Sequence, residues 1–119
     1  MAGMMDKAKE LGNALARTDE YQALKRAVSA ADDDRDIAEL RSELEKLESR
    51  IEMSLRAGKE PDDDIKEAYE NAVGRLQAMP TYQRLVASQA NFDKVVQRVN
   101  QTIMKGLEEG AESRIILSS

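Results

Sequence analysis

Apolar residues recur along this chain at steps of three and four, with polar residues filling the positions between them. The longest such run follows Pro80 and predicts a helix over 81–109. Tyr82, Leu85, Phe92, Val96, Val99, Ile103 and Leu107 fall on one face, and Val86 and Met104 widen it. Nothing breaks the run before Gly106 and Gly110. At about 1.5 Å per residue this helix is about 40 Å long. A compact domain of similar size has a radius of gyration of only about 13 Å. The helix must therefore protrude, carrying an apolar stripe that needs a partner.

The rest of the chain divides in the same way. A first helix over 4–17 shows a narrow face of Met4, Ala8, Leu11 and Leu15; so short a helix is marginal alone and must dock. Thr18-Asp19 is a plausible cap, with Asp19 and Gln22 at capping-box spacing, and leaves open either a break or a bend. A second helix reaches about residue 31, with Tyr21, Leu24, Val28 and Ala31 facing inward. Asp32-Asp33-Asp34 reads as a stop and a new start. These aspartates lack the glycine and alternate spacing of a calcium loop, so capping is the better reading.

Over 35–57, Ile37, Leu40, Leu44, Leu47 and Ile51 step by 3, 4, 3 and 4 as a coiled-coil seam, and Leu55 continues it after a drift. Gly58-Lys-Glu-Pro61 is the clearest turn: Gly58 suits a left-handed cap, and Pro61 suits the first position of the next helix. That helix, over 62–79, carries Ile65, Ala68, Tyr69, Ala72, Leu76 and Met79 on one face. So short a turn forces an antiparallel hairpin. Pro80 then interrupts the chain, and Thr81 is placed to cap the last helix. The expected organisation is one all-α domain over 1–119. It comprises two short helices in 1–31, a hairpin in 34–79, the long helix in 81–109 and a tail in 110–119, whose Ile115, Ile116 and Leu117 read as a frayed end in preference to a clip onto a neighbouring subunit. The hairpin is the expected companion of the long helix.

Composition narrows the chemistry. With 41% hydrophobic and 34% charged residues, one Phe, three Tyr and no Trp, the core must be aliphatic and the surface densely ionic. A net charge of −5 and a pI of about 4.9 disfavour direct nucleic-acid binding. No segment approaches the ~20 apolar residues of a membrane span. The opening Met-Ala-Gly-Met-Met-Asp-Lys lacks the apolar core of a signal peptide, so a cytoplasmic location is expected. The chain has no Cys and no His. Thiolate and imidazole chemistry, cysteine-held Fe–S clusters and Glu-x-x-His di-iron sites are therefore excluded. With no Gly-rich phosphate loop or nucleophile elbow either, no catalytic, metal or cofactor site is expected.

The landmarks also occur in a familiar order. Ala8-Lys-Glu-Leu-Gly-Asn-Ala-Leu-Ala precedes Thr18-Asp-Glu-Tyr-Gln-Ala-Leu-Lys, followed by the heptad helix and the Gly58-Lys-Glu-Pro turn. Pro80-Thr-Tyr-Gln-Arg-Leu then leads into Asn91-Phe-Asp and Val99-Asn-Gln-Thr-Ile. Over roughly 8–109 the chain resembles the YlbF/YmcA family of small helical bacterial regulators, and is most similar to its YheA-like branch. The resemblance implies a non-catalytic all-α protein that oligomerises through its long helices. It also implies partners in a complex that modulates mRNA processing through a membrane-anchored endoribonuclease, affecting competence, sporulation and biofilm formation. Some members carry Fe–S clusters on cysteines; this chain has none, so no cluster carries over.

The expected function is that of a cytoplasmic regulator or adaptor acting through helix-mediated protein contacts as a homo-oligomer, with a dimer favoured. The expected interface residues are Leu40, Leu44, Leu47 and Ile51, together with Phe92, Val96, Val99, Ile103 and Leu107. The segment 95–107 is the favoured subunit interface. The alternative is a prefoldin-like hairpin chaperone or a structural oligomer. Against the chaperone stands a charged hairpin tip over 58–64.

Overall fold

The computed structural model describes the backbone of residues 3–118 and the side chains of residues 3–112. Five helices follow in order: α1 (Met4–Ala16), α2 (Asp19–Asp32), α3 (Arg35–Arg56), α4 (Asp63–Gln77) and α5 (Pro80–Ser118). The described residues form an elongated all-α body of 69 × 37 × 23 Å, with a Cα radius of gyration of 22.1 Å.

Each corner has a local chemical cause. Thr18 adopts an extended conformation (φ −67°, ψ 150°), so α1 and α2 are separate helices. Its Oγ1 donates to the Leu15 carbonyl at 2.7 Å and accepts from the Tyr21 N–H at 3.1 Å. The cap is thus Thr18 and not Asp19, and Gln22 reaches back to the Ala16 carbonyl at 2.7 Å instead of closing a capping box. In the aspartate triplet, Asp34 Oδ1 accepts from the Asp36 and Ile37 N–H groups at 3.0 and 3.2 Å. Asp33 caps the end of α2, and Asp32 lies 3.8 Å from Arg41.

At the hairpin tip Gly58 has φ +74°. Its N–H donates to the Leu55 carbonyl at 3.1 Å, and the Lys59 N–H donates to Ser54 at 2.9 Å. This pair of bonds is the Schellman arrangement, which uses a left-handed residue to satisfy the last carbonyls. The two prolines depart from their expected roles. Pro61 lies outside α4, before its N-cap Asp62. Pro80 is itself the first residue of α5, where its missing N–H costs nothing, and Thr81 falls inside the first turn. The Met79 carbonyl accepts from the Gln83 N–H at 2.9 Å, and Gln83 Nε2 bonds the Gln77 carbonyl at 2.9 Å.

The core sits where four helix ends cross. Ala31 of α2, Ile37, Leu40 and Leu47 of α3, and Ala72 and Leu76 of α4 are buried together. Met79 and, from α5, Tyr82 and Leu85 pack against them. From this crossing the α3–α4 hairpin leaves as an antiparallel pair, joined farther out by Tyr69 Oη to Glu48 Oε1 at 3.4 Å.

The long helix differs from expectation twice. Its companion is α2, with which it runs antiparallel; the hairpin meets it only near Pro80. Tyr21 near the start of α2 packs edge-on to Phe92 at 5.2 Å between ring centroids, while Val28 and Asp32 near its end lie beside Tyr82–Ala90. Leu24, Ala27 and Ala31 are the buried face of α2. The helix also continues past Glu109 to Ser118, so the frayed tail expected from 110 onward is helical over its described part. Gly106 and Gly110 cost a helix about 1 kcal/mol each, which residues such as Leu107, Glu108 and Ala111 around them offset in part.

Candidate interaction surface

The expected anchors divide by helix. Leu40 and Leu47 are buried, Leu44 packs against the same core, and Ile51 is half-buried. The α3 seam thus faces α4 and the crossing. It is intramolecular core and leaves little free for another chain. On α5, Phe92 is half-buried against Tyr21, and Val96 and Val99 are half-buried. Beyond them the face opens: Ile103 is 53% exposed and Leu107 64%, with Met104 beside them at 56%. The reason is reach. α2 begins at Asp19, with Tyr21 against Phe92 and Glu20 on a groove with Val95 and Val99, so the outer part of α5 has outrun the long helix that accompanies it.

α1 partly flanks this open face. No residue of α1 is buried, and Met4 and Met5 are largely exposed. Leu11 stands across a groove from Val95, Val99 and Ile103, with Glu20, Arg98 and Thr102 on the walls. A second shallow groove joins α2 and α5 at Val28, Tyr82 and Val86, bordered by Asp32, Arg41 and Asp93.

Sequence reasoning missed three features. Val28 and Val86 are outward-facing, although Val28 shares the stripe of Leu24 and Ala31. Met53 and Leu55 are exposed just inside the hairpin tip; the heptad drift at Leu55 was the available signal. Ser88 is buried on α5 at a seam position between Leu85 and Phe92, where a strictly apolar template passes over it.

The accessible surface is 9641 Å². A compact monomer of 13.3 kDa exposes about 6,500 Å². The excess is about 3,000 Å², several times the ~800 Å² that each partner contributes to a standard interface. Among the described residues no group of three or more Asp and Glu side chains is arranged to hold a metal ion. Among those residues no helix is long and apolar enough to cross a membrane.

This arrangement has relatives. The chain is 29% identical over 107 residues to a UPF0342 protein of Staphylococcus haemolyticus, covering 89% of this chain and 93% of that one. It is 27% identical over 104 residues to a UPF0342 protein of Bacillus cereus, covering 87% and 88%. A solved structure described as a protein of unknown function (DUF964) from Bacillus stearothermophilus shares the fold. It superposes with a TM-score of 0.62 at 24% identity, over 89% of this chain and 93% of that one. A family model described as control of competence regulator ComK, YlbF/YmcA, matches residues 4–108, and the chain belongs to that family.

Proposed function

We propose that this protein is a non-enzymatic cytoplasmic regulator or adaptor that works by helix-mediated protein–protein contact as a homo-oligomer, with a dimer as the favoured state. The observation that carries the reading is the outer half of α5. It is a helix whose apolar face at Ile103, Met104 and Leu107 is left exposed by the described residues. Contiguous exposed apolar surface of this kind marks interaction sites. The family's description supports a regulatory role. We place the regulated process in mRNA processing or cell-fate control, through protein partners and without direct nucleic-acid binding. Sedimentation velocity at micromolar concentration tests the reading. A mass of two chains is expected, and a strict monomer overturns it.

A second reading, the hairpin chaperone, has one observation in its favour. Met53 and Leu55 expose 71% and 61% of their surface next to the tip. If the hairpin grips unfolded clients there, the protein suppresses their aggregation and a Met53→Glu/Leu55→Glu variant does not. Absence of suppression by the unaltered protein removes this reading.

A further inference from the structure

α1 and the outer half of α5 each leave an apolar face uncovered, and one groove brings the two faces together. α1 has 13 residues and none of them is buried; Met4 is 77% exposed. A helix of that length is marginal in water unless an apolar face docks. Leu11 already stands at the edge of α5, across the open groove from Val95, Val99 and Ile103.

The chain itself sets the direction and the register. Tyr21 packs on Phe92; Glu20 and then Leu11 line the groove with residues 95–103. Moving back along the sequence therefore moves outward along α5, so α1 follows α5 antiparallel, as α2 does. From Leu15, steps back of four, three and four reach Leu11, Ala8 and Met4. From Val96, steps forward of three, four and four reach Val99, Ile103 and Leu107. Both runs cover eleven residues, about 16 Å of helix. Laid antiparallel with Leu15 at Val96, Leu11 falls at Val99, Ala8 at Ile103 and Met4 at Leu107. Such a seam buries no charge from α5. Arg98 and Lys105, the charged residues between Val96 and Leu107, lie about 140° and 160° around the helix from Ile103. On α1 only Lys7 borders the stripe, and its stem can lie along it with the amine in water.

Arg17 and Thr18 are the whole connection between α1 and α2. Thr18 is extended, so changes in these few backbone angles swing α1 as a rod. We propose that α1 is a strap, hinged at Arg17–Thr18, that closes on the outer half of α5 and competes with a second copy of the chain for Val99, Ile103 and Leu107. The strap rests on the self-association proposed above and adds its regulation. A closed chain cannot offer the face, so the apparent affinity falls with the fraction of chains that are open.

The chain has no cysteine, so a pair of cysteines can be introduced into the full-length protein without background. Met4 and Leu107 are both exposed, and closure brings them toward the Cα separation of about 5.5–6 Å that a disulfide favours. Met4→Cys/Leu107→Cys is expected to form a disulfide within one chain on mild oxidation, at a rate independent of protein concentration. The oxidised protein is expected to sediment as a monomer. Disulfides formed only between chains overturn the strap. In a second measurement, Met4→Glu/Leu11→Glu holds the strap open and is expected to lower the dimer Kd at least tenfold. Glutamate at position 4 suits a helix N-terminus, so α1 itself is kept. An unchanged or raised Kd overturns the strap, because α1 is then idle or part of the interface. A dimer that fails both tests leaves self-association standing without the strap. A strict monomer that forms the disulfide within one chain overturns self-association and leaves the closure standing.

Discussion

Ile37 is fully buried at the crossing of the helices, with 0% of its surface exposed, and Ala31 and Ala72 beside it are almost as enclosed. Its position follows from Asp34, whose carboxylate takes the N–H groups of Asp36 and Ile37 and so starts α3 at the one point where α2, α4 and α5 converge. Truncating such a side chain removes transfer energy and leaves a cavity, together costing about 2–5 kcal/mol. Against a total stability of about 5–15 kcal/mol that is a large share. Ile37→Ala is expected to lower the urea midpoint sharply, and Ile37→Val to cost only about 1 kcal/mol. Equal midpoints for the two variants would place the core elsewhere. At this scale Asp34 was legible, because a short carboxylate before an apolar run has one favourable local role. Phe92 was not: its ring packs on Tyr21, seventy-one positions away in the chain, and periodicity cannot report which helix a face meets.

At the scale of elements, two glycines behave in opposite ways. Gly58 closes the hairpin at φ +74°, a conformation that costs a residue with a Cβ about 1–2 kcal/mol. Gly74 lies inside α4, where an added Cβ meets nothing within 4 Å. Gly58→Ala is expected to lower the melting temperature, and Gly74→Ala to raise it through a gain of about 0.5–1 kcal/mol. Thermal scans at one concentration check both signs together. The heptad of α3 and the turn at Gly58 made the hairpin readable, since a short turn leaves no choice but an antiparallel neighbour. The pairing of α2 with α5 was not readable. The stripes of α2 and of the hairpin are both apolar at helical spacing, and only the direction in which each leaves the crossing selects between them.

At the scale of the whole molecule, a radius of gyration of 22.1 Å contrasts with about 13.5 Å for a compact chain of this length. The elongation follows from two arms leaving one crossing, and it is the reason so much surface remains bare. If self-association covers that surface, the folded state is stabilised by mass action. The melting temperature is then expected to rise by about 3 °C for each tenfold increase in protein concentration. Calorimetric scans across two decades of concentration test this, and a constant midpoint counts against a dimeric folded state.

The amino-acid order alone determined the five helices and their order, the interruptions at Thr18, Asp34 and Pro80, the left-handed turn at Gly58, the aliphatic character of the core and the absence of cysteine and histidine chemistry. These depend on neighbours within about one turn, where spacing and side-chain type carry the full physics. It also determined that the last helix is too long for any compact body of this size. Only the tertiary structure decided that α2 is the companion of that helix, that the α3 seam is used within the chain, and that α1 stays uncovered. Those outcomes depend on the angles at which helices leave the crossing around Ile37. Such angles arise from the joint packing of residues distant in sequence, and no single stripe encodes them.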